Sequence, residues 1–352
     1  MGSKRKYSGI VVGLLILALV GAACGGDDEE PSDGTGATGE TGSTGSEDLT
    51  GTVTISGSST VEPISSLVAE LFNEIQPGVA ISVDGPGTGD GFELFCQGET
   101  DISDASRPID EEEVAACETA GINFIELEVA FDGITVMTNP ENSAVTCLNL
   151  GDLYALFGPE SEGFSSWSDA NDLASQVGGN GGFPDEPLEI TAPGEESGTY
   201  DAFIELSGFE DTAIAQGVPE DGAAALRPDY QSSANDNVII QAMEGSPSAI
   251  GFVGFAFAEA AGDAIKEIEV DGGSGCVAPS AETIADGSYP LSRSLYIYVN
   301  TDKLADNPAT AAYVDYYLSD EGLSTAVAET GYVDLPSDRI EATRAAWEGV
   351  GA

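Results

Sequence analysis

The residues best suited to chemistry in this chain are hydroxyls, and they come in two clusters. Gly57-Ser58-Ser59-Thr60-Val61-Glu62-Pro63 holds one, and Ser197-Gly198-Thr199 holds the other. Each cluster follows a short strand-like run and opens a segment of helical periodicity, so each falls at a helix N-terminus. Such an end offers unpaired N–H groups and the positive end of the helix dipole, which suits a small anion. Singly, either cluster reads as a helix cap. Two of them, far apart in the chain, can face one another only if two lobes close on a shared cleft. Thr88, in the Gly-rich stretch Asp84–Gly91, adds a hydroxyl on a backbone able to approach a ligand closely. Arg107 is one of only seven bases beyond residue 24 and is the expected cation. Asp132 stands alone in the apolar run Val129–Met137; burying it unpaired is costly, so it must pair with a base or accept a proton from a ligand.

What the sequence lacks narrows the chemistry. It has no histidine, which removes Ser-His-Asp and Cys-His catalysis and every His-ligated zinc site. A Ser-Lys hydrolase would need a lysine in a motif, and Lys266 and Lys303, the lysines after residue 24, stand in none. No register of the Gly-rich stretch gives G-x-G-x-x-G, and no Gly-Lys-Ser/Thr exists for a phosphate loop of the nucleotide-binding kind. The chain carries 10 Lys and Arg against 62 Asp and Glu, and three of those bases (Lys4, Arg5, Lys6) lie in the leader. With no basic face to build, nucleic acid is not an expected partner. The acidity speaks to a salty habitat, where a charged surface is screened within roughly 8–10 Å.

The elements that must position these groups can be read in order. The β-like run Thr52–Ile55 precedes the first cluster, and Ile64, Leu67, Val68, Leu71, Phe72 and Ile75 then mark one buried helical face, with Pro63 in the first turn. A strand over Gly78–Val83, the Gly-rich turn and a helix carrying Phe92, Leu94 and Phe95 repeat the pattern, which points to α/β architecture. A helix is expected from about Glu111 to Ala120 and a long strand within Ile125–Thr138. A short helix follows over Leu150–Phe157. Gly158–Pro187 is expected to loop over the surface. Leu188–Thr191 is a strand leading to the second cluster. Ser248–Phe255 reads as a buried strand and turn, Leu291–Val299 as an alternating strand, and Pro308–Trp347 as a mostly helical tail with Tyr313, Tyr316 and Tyr317 in the core.

Residues 1–24 read as an export signal: a basic start, an apolar run from Ile10 to Val20, and Gly21-Ala22-Ala23 before Cys24. Cys24 resembles the lipidated cysteine of bacterial lipoproteins, although Gly21 stands where such signals usually carry Leu. Residues 25–49, rich in Gly, Ser, Thr, Asp and Glu, are expected to be a disordered tether with a reach of roughly 25–30 Å. The remaining cysteines, Cys96, Cys117, Cys147 and Cys276, suggest two disulfides with three possible pairings. Cys96–Cys117, closing a short loop, and Cys147–Cys276, stapling the ends of one domain, are favoured. A metal site built from all four lacks any C-x-x-C spacing.

Taken together, these motifs identify a family. Gly57-Ser58-Ser59-Thr60-Val61, Gly85-Pro86-Gly87-Thr88-Gly89, Asp101-Ile102 through Ser106-Arg107, Asp132-Gly133, Ser197-Gly198-Thr199 and Ala249-Ile250-Gly251-Phe252 resemble, in order, the phosphate-binding proteins of bacterial ABC importers, the PstS type. The resemblance runs from about Gly51 to Val350. It implies a type II periplasmic-binding fold: two α/β lobes of mixed sheets flanked by helices, with hinges near Ile134–Thr138 and Arg293–Val299. The lobes would be 50–136 with 292–352, and 137–291. It also implies a binding protein without cofactor rather than an enzyme, with inorganic phosphate as ligand and a membrane permease and ATPase as partners. The implied location is the outer face of the cytoplasmic membrane, through a lipid on Cys24.

The ligand contacts implied by the resemblance are Ser59, Thr60 and the Val61 N–H from the first helix, Thr88 from the Gly-rich loop, and Ser197, Gly198 and Thr199 from the second lobe. The chain departs from the common pattern in two places. Pro193 stands where relatives often carry an Arg, and Arg107 where some carry an Asp. The expectation is that cation and acid have exchanged places, Arg107 supplying the charge and Asp132 or Glu195 the acceptor. Monohydrogen phosphate can donate a proton and sulfate at neutral pH cannot, so such an acceptor favours phosphate. Three rival readings remain: another oxyanion (sulfate, molybdate or phosphonate), a sensor without transport, and a secreted hydrolase.

Overall fold

The structure, a computed structural model, describes residues 49–195 and 197–350, Asp221 without its side chain. The export signal, Cys24 and the tether up to residue 48 lie outside the described residues. Among the described residues no helix is long and apolar enough to cross a membrane.

One mixed sheet runs through the molecule in the order β2-β1-β3-β12-β4-β8-β6-β7, with β9 also on β4. These are β1 (Gly51–Gly57), β2 (Val79–Asp84), β3 (Ile102–Ala105), β4 (Phe124–Thr138), β6 (Glu189–Ala192), β7 (Gln231–Ser232), β8 (Ala249–Gly254), β9 (Lys266–Glu267) and β12 (Ser292–Asn300). A smaller sheet joins β5 (Cys147–Asn149), β10 (Glu269–Asp271) and β11 (Cys276–Val277). Disulfides link Cys96 to Cys117, and Cys147 to Cys276 across this smaller sheet.

The 15-residue strand β4 organises the rest because it changes neighbours midway. Phe124–Gly133 pairs with β12, and Ile134–Thr138 pairs with β8. Its side chains change company too. Leu127, Val129 and Ala130 belong to a core with Val53, Ile55, Ile64, Val68, Phe72, Leu295, Ile297, Tyr313 and Tyr317. Phe131, Ile134 and Val136 belong to a second core with Leu153, Phe157, Trp167, Phe203 and Phe252. The second crossing, at Leu291–Ser292, lies beside the first, since the Ile134 N–H donates to the Leu291 carbonyl at 2.9 Å. The change of partner on β4 comes between Gly133 and Ile134, and β12 begins at Ser292, just before the stretch Arg293–Val299.

The helices follow the apolar periodicity. In α1 (Glu62–Ile75) Ile64, Val68 and Phe72, four residues apart, are buried. Then come α2 (Thr88–Cys96), α3 (Glu111–Ala120), α4 (Leu150–Phe157), α5 (Asn171–Gln176) and α6 (Gly198–Ser207). The expectation of surface loops over 158–187 needs correction. Trp167, Ala170, Leu173, Ala174 and Phe183 are buried in the second core, and α5 forms within this stretch. Its many Gly, Ser, Asp and Asn residues turn the backbone around those anchors, as in the capping box of Ser166 and Asp169. In the tail, Tyr313 and Tyr317 are fully buried, with Tyr313 edge-on to Phe72. Tyr316 is only partly buried. Val333 returns to the second core, exchanging backbone hydrogen bonds of 2.9 Å with Phe131.

Candidate functional site

The first hydroxyl cluster leaves the end of β1 as a tight turn over the end of β3. Gly57 is required there: its φ is +152°, and a Cβ on it would stand 2.0 Å from the Asp104 carbonyl oxygen. The Ser58 N–H donates to that carbonyl at 2.9 Å, and Ser58 and Thr60 are almost fully buried. The turn also bonds within itself. Val61 and Glu62 N–H groups both donate to the Ser58 carbonyl, and the Thr60 N–H donates to Ser58 Oγ at 3.2 Å. The Val61 N–H, expected as a ligand donor, is therefore committed within its own turn.

The Gly-rich loop packs on this turn. The Gly87 N–H donates to the Gly57 carbonyl at 2.9 Å, and a Cβ on Gly85 would lie 3.1 Å from Ser59 Cα. Thr88, the first residue of α2, shares a 2.9 Å hydrogen bond with Ser106 Oγ and accepts from the Ser106 N–H at 3.2 Å.

The second cluster meets the first. Ser197 caps α6, its Oγ accepting from the Thr199 N–H at 3.2 Å. A Cβ on Gly198 would stand 3.1 Å from the Ser59 carbonyl oxygen and 3.5 Å from Thr60 Cα, so a larger residue would press the two turns apart by a few tenths of an ångström. From the first turn of α6, Asp201 accepts a hydrogen bond from Ser59 Oγ at 3.1 Å. Its partly covered carboxyl is raised above its ordinary value mainly by that covering, with the Ser59 hydroxyl and Arg293 holding it down.

The cation between these turns is Arg293, on β12. Its side chain is 9% exposed. One terminal nitrogen donates to Thr60 Oγ1 at 3.0 Å and the other to Glu205, on α6, at 2.5 Å. Its Nε lies 3.5 Å from Asp132 Oδ2, an ion pair longer than a good hydrogen bond. Arg293 and Asp132 are directly opposed in the β4–β12 register. Burial pushes the Asp132 carboxyl above its ordinary value, and Arg293 opposes that rise.

Arg107 is held by a different carboxylate, although Glu205, the partner of Arg293, also acts on its charge. Both ends of its fork are bound by the Glu113 carboxylate, at 2.7 and 2.8 Å, and the guanidinium lies 5.6 Å from the centre of the Phe92 ring. Glu113 is the third residue of α3 and closes its capping box with Asp110, so Arg107 braces a helix end. Arg107, expected to supply the charge, is thus bound by Glu113, and the cation that touches Thr60 is Arg293. Glu195 is exposed. The signal for Arg293 was present in the sequence: the apolar run Val129–Met137 carries one acid, Asp132, and the strand Leu291–Val299 carries one base, Arg293. Asp201 and Glu205 gave no comparable signal, because a chain this acidic places carboxylates on most helices.

This fold, with its hydroxylated turns meeting beside crossing strands, defines a class, and residues 42–321 match the PBP superfamily domain. Within that class the chain belongs to the PstS-type family of phosphate-binding proteins. It is 33% identical over 333 residues to the phosphate-binding protein PstS of Staphylococcus haemolyticus, covering 94% of this chain and 93% of that one. It is 38% identical over 288 residues to protein SphX of Synechocystis, covering 81% of this chain and 79% of SphX. A possible phosphate-binding protein from Planctomyces limnophilus, known as a crystal structure, has a TM-score of 0.75 and 35% identity, over 86% of this chain and 99% of that one. An ABC-type phosphate transport receptor from Vibrio cholerae has a TM-score of 0.56 and 25% identity, over 81% and 100% of the two chains.

Proposed function

We propose that this protein captures inorganic phosphate between two lobes, 50–136 with 292–352 and 137–291, and delivers it to the permease and ATPase of an ABC importer. The observation that carries the site is the 3.0 Å contact of buried Arg293 with Thr60, at the point where Gly198 abuts Ser59. Ser59, Thr60, Thr88, Ser197 and Thr199 supply neutral donors, Gly198 the close approach, and Arg293 the charge. Asp132 aims Arg293 from behind. Asp201, facing Ser59, is the acceptor for the ligand's proton, which favours phosphate over sulfate. Local donors hold an anion even in a chain of formal charge −52, because the field at the site is set by nearby dipoles and by Arg293.

The protein binds and releases without turnover: its hydroxyls have no histidine to activate them. It works outside the cytoplasmic membrane, held by a lipid on Cys24 after removal of residues 1–23. Mass spectrometry of the envelope-extracted protein tests the anchor, and an unmodified Cys24 contradicts it. Calorimetric titration of the mature protein with phosphate and then sulfate tests the function. Saturable phosphate binding with much weaker sulfate binding is expected, and equal affinity for both contradicts the assignment.

A further inference from the structure

Behind the first turn lies a carboxyl group that the site described above does not use. Asp104, the residue before the last of β3, faces α1 and the helix Pro308–Tyr317, and it is fully buried. Its Oδ1 accepts from Ser65 Oγ at 2.9 Å, and Ser65 Oγ also shares a 3.2 Å hydrogen bond with the Tyr317 hydroxyl. Its Oδ2 is buried without a hydrogen-bond partner. The charged and titratable groups facing it are Glu62 and Ser65 of α1 together with Tyr313 and Tyr317; across the sheet its register partners are Gly57 on β1 and Ile297 on β12. None of these is a cation. Yet the backbone of this residue holds the anion turn, through its carbonyl, the Ser58 N–H and the contact with Gly57.

A carboxylate here would have one hydroxyl donor, two phenols and a neighbouring Glu, and would place a second negative charge beneath a turn meant to receive an anion. We propose that Asp104 is a positioning residue that supports the Gly57–Thr60 turn as an uncharged carboxylic acid, and that its ionisation weakens both the fold and the anion site. Burial, first among the causes, raises its pKa from 3.8 to about 7; Ser65 opposes the rise and Glu62 adds to it. The folded chain then keeps a proton that the unfolded chain releases. Stability contributed by the neutral acid is present below about pH 4 and is lost as pH rises through about 7.

This inference rests on the phosphate reading only for its binding arm. The first arm follows the melting temperature of the mature protein and of Asp104→Asn, without phosphate, from pH 5 to 8.5. Asn keeps the shape and cannot ionise, so the difference between the two proteins should shift in favour of the variant as pH rises. Parallel curves overturn the proposal. If Asp104→Asn does not fold, Ser65→Ala serves: losing the donor that holds the pKa down should move the wild-type loss of stability to higher pH, and an unmoved loss overturns the proposal. The second arm compares phosphate affinities, in which the ligand's own titration cancels. The wild type should lose roughly threefold to tenfold relative to Asp104→Asn between pH 6 and 8, and a constant ratio overturns the coupling to the anion site. No phosphate binding by the wild type would instead sink the proposed function, and the first arm would still decide the role of Asp104.

Discussion

The two hydroxylated turns that meet at the site are built differently. The first, Gly57–Val61, is tied down by long-range contacts: Ser58 to Asp104, Gly87 to Gly57, and Arg293 to Thr60. The second, Ser197–Thr199, is held mainly by its own neighbours, with the Ser197 N–H on the Gly194 carbonyl and the Thr199 N–H on Ser197 Oγ. Its links to the first turn are the Gly198 approach, the Asp201–Ser59 hydrogen bond and the Glu205–Arg293 ion pair. The difference teaches which half is the platform. The first turn is set by the sheet and by a buried cation, and the second docks onto it.

If so, mutations should rank by their distance from that platform. Arg293→Ala should have the largest effect, weakening phosphate binding by about 100-fold or more, the worth of two charge-assisted hydrogen bonds. It should also lower the melting temperature, because Asp132 is left buried without its cation. Thr60→Val should follow, weakening binding by roughly tenfold at nearly constant volume. Ser197→Ala should cost less, about threefold to fivefold, since the helix end it caps is only partly buried. Arg107→Ala should come last, about twofold or less, because its ion pair with Glu113 is 37% exposed on the Arg side. Isothermal calorimetry on the four variants checks the order. A Ser197 effect larger than that of Thr60 would reverse the assignment of platform and docking half.

Much of this arrangement was legible in the sequence, for physical reasons. Helix starts announce themselves locally, so Gly57–Pro63 and Ser197–Thr199 could be found without knowing the fold. The strand β4 was visible as one apolar run, and its lone acid, Asp132, demanded a partner. The identity of that partner was not legible from local pattern, because register between strands is set by tertiary packing. Arg293 lies far along the chain from Asp132, whereas Arg107 lies closer to the Gly-rich loop, so proximity in sequence pointed to Arg107. Gly158–Pro187 misled for a related reason: turn-forming residues dominate its composition, and a few anchors such as Trp167 and Phe183 decide its burial.

The central claim is that Arg293, rather than Arg107, supplies the positive charge at a phosphate site spanning the two turns. Paired calorimetric titrations of Arg293→Ala and Arg107→Ala with phosphate test it most directly. Near-complete loss of binding in the first with near-native affinity in the second is the predicted result. Loss in Arg107→Ala with binding retained in Arg293→Ala would contradict it.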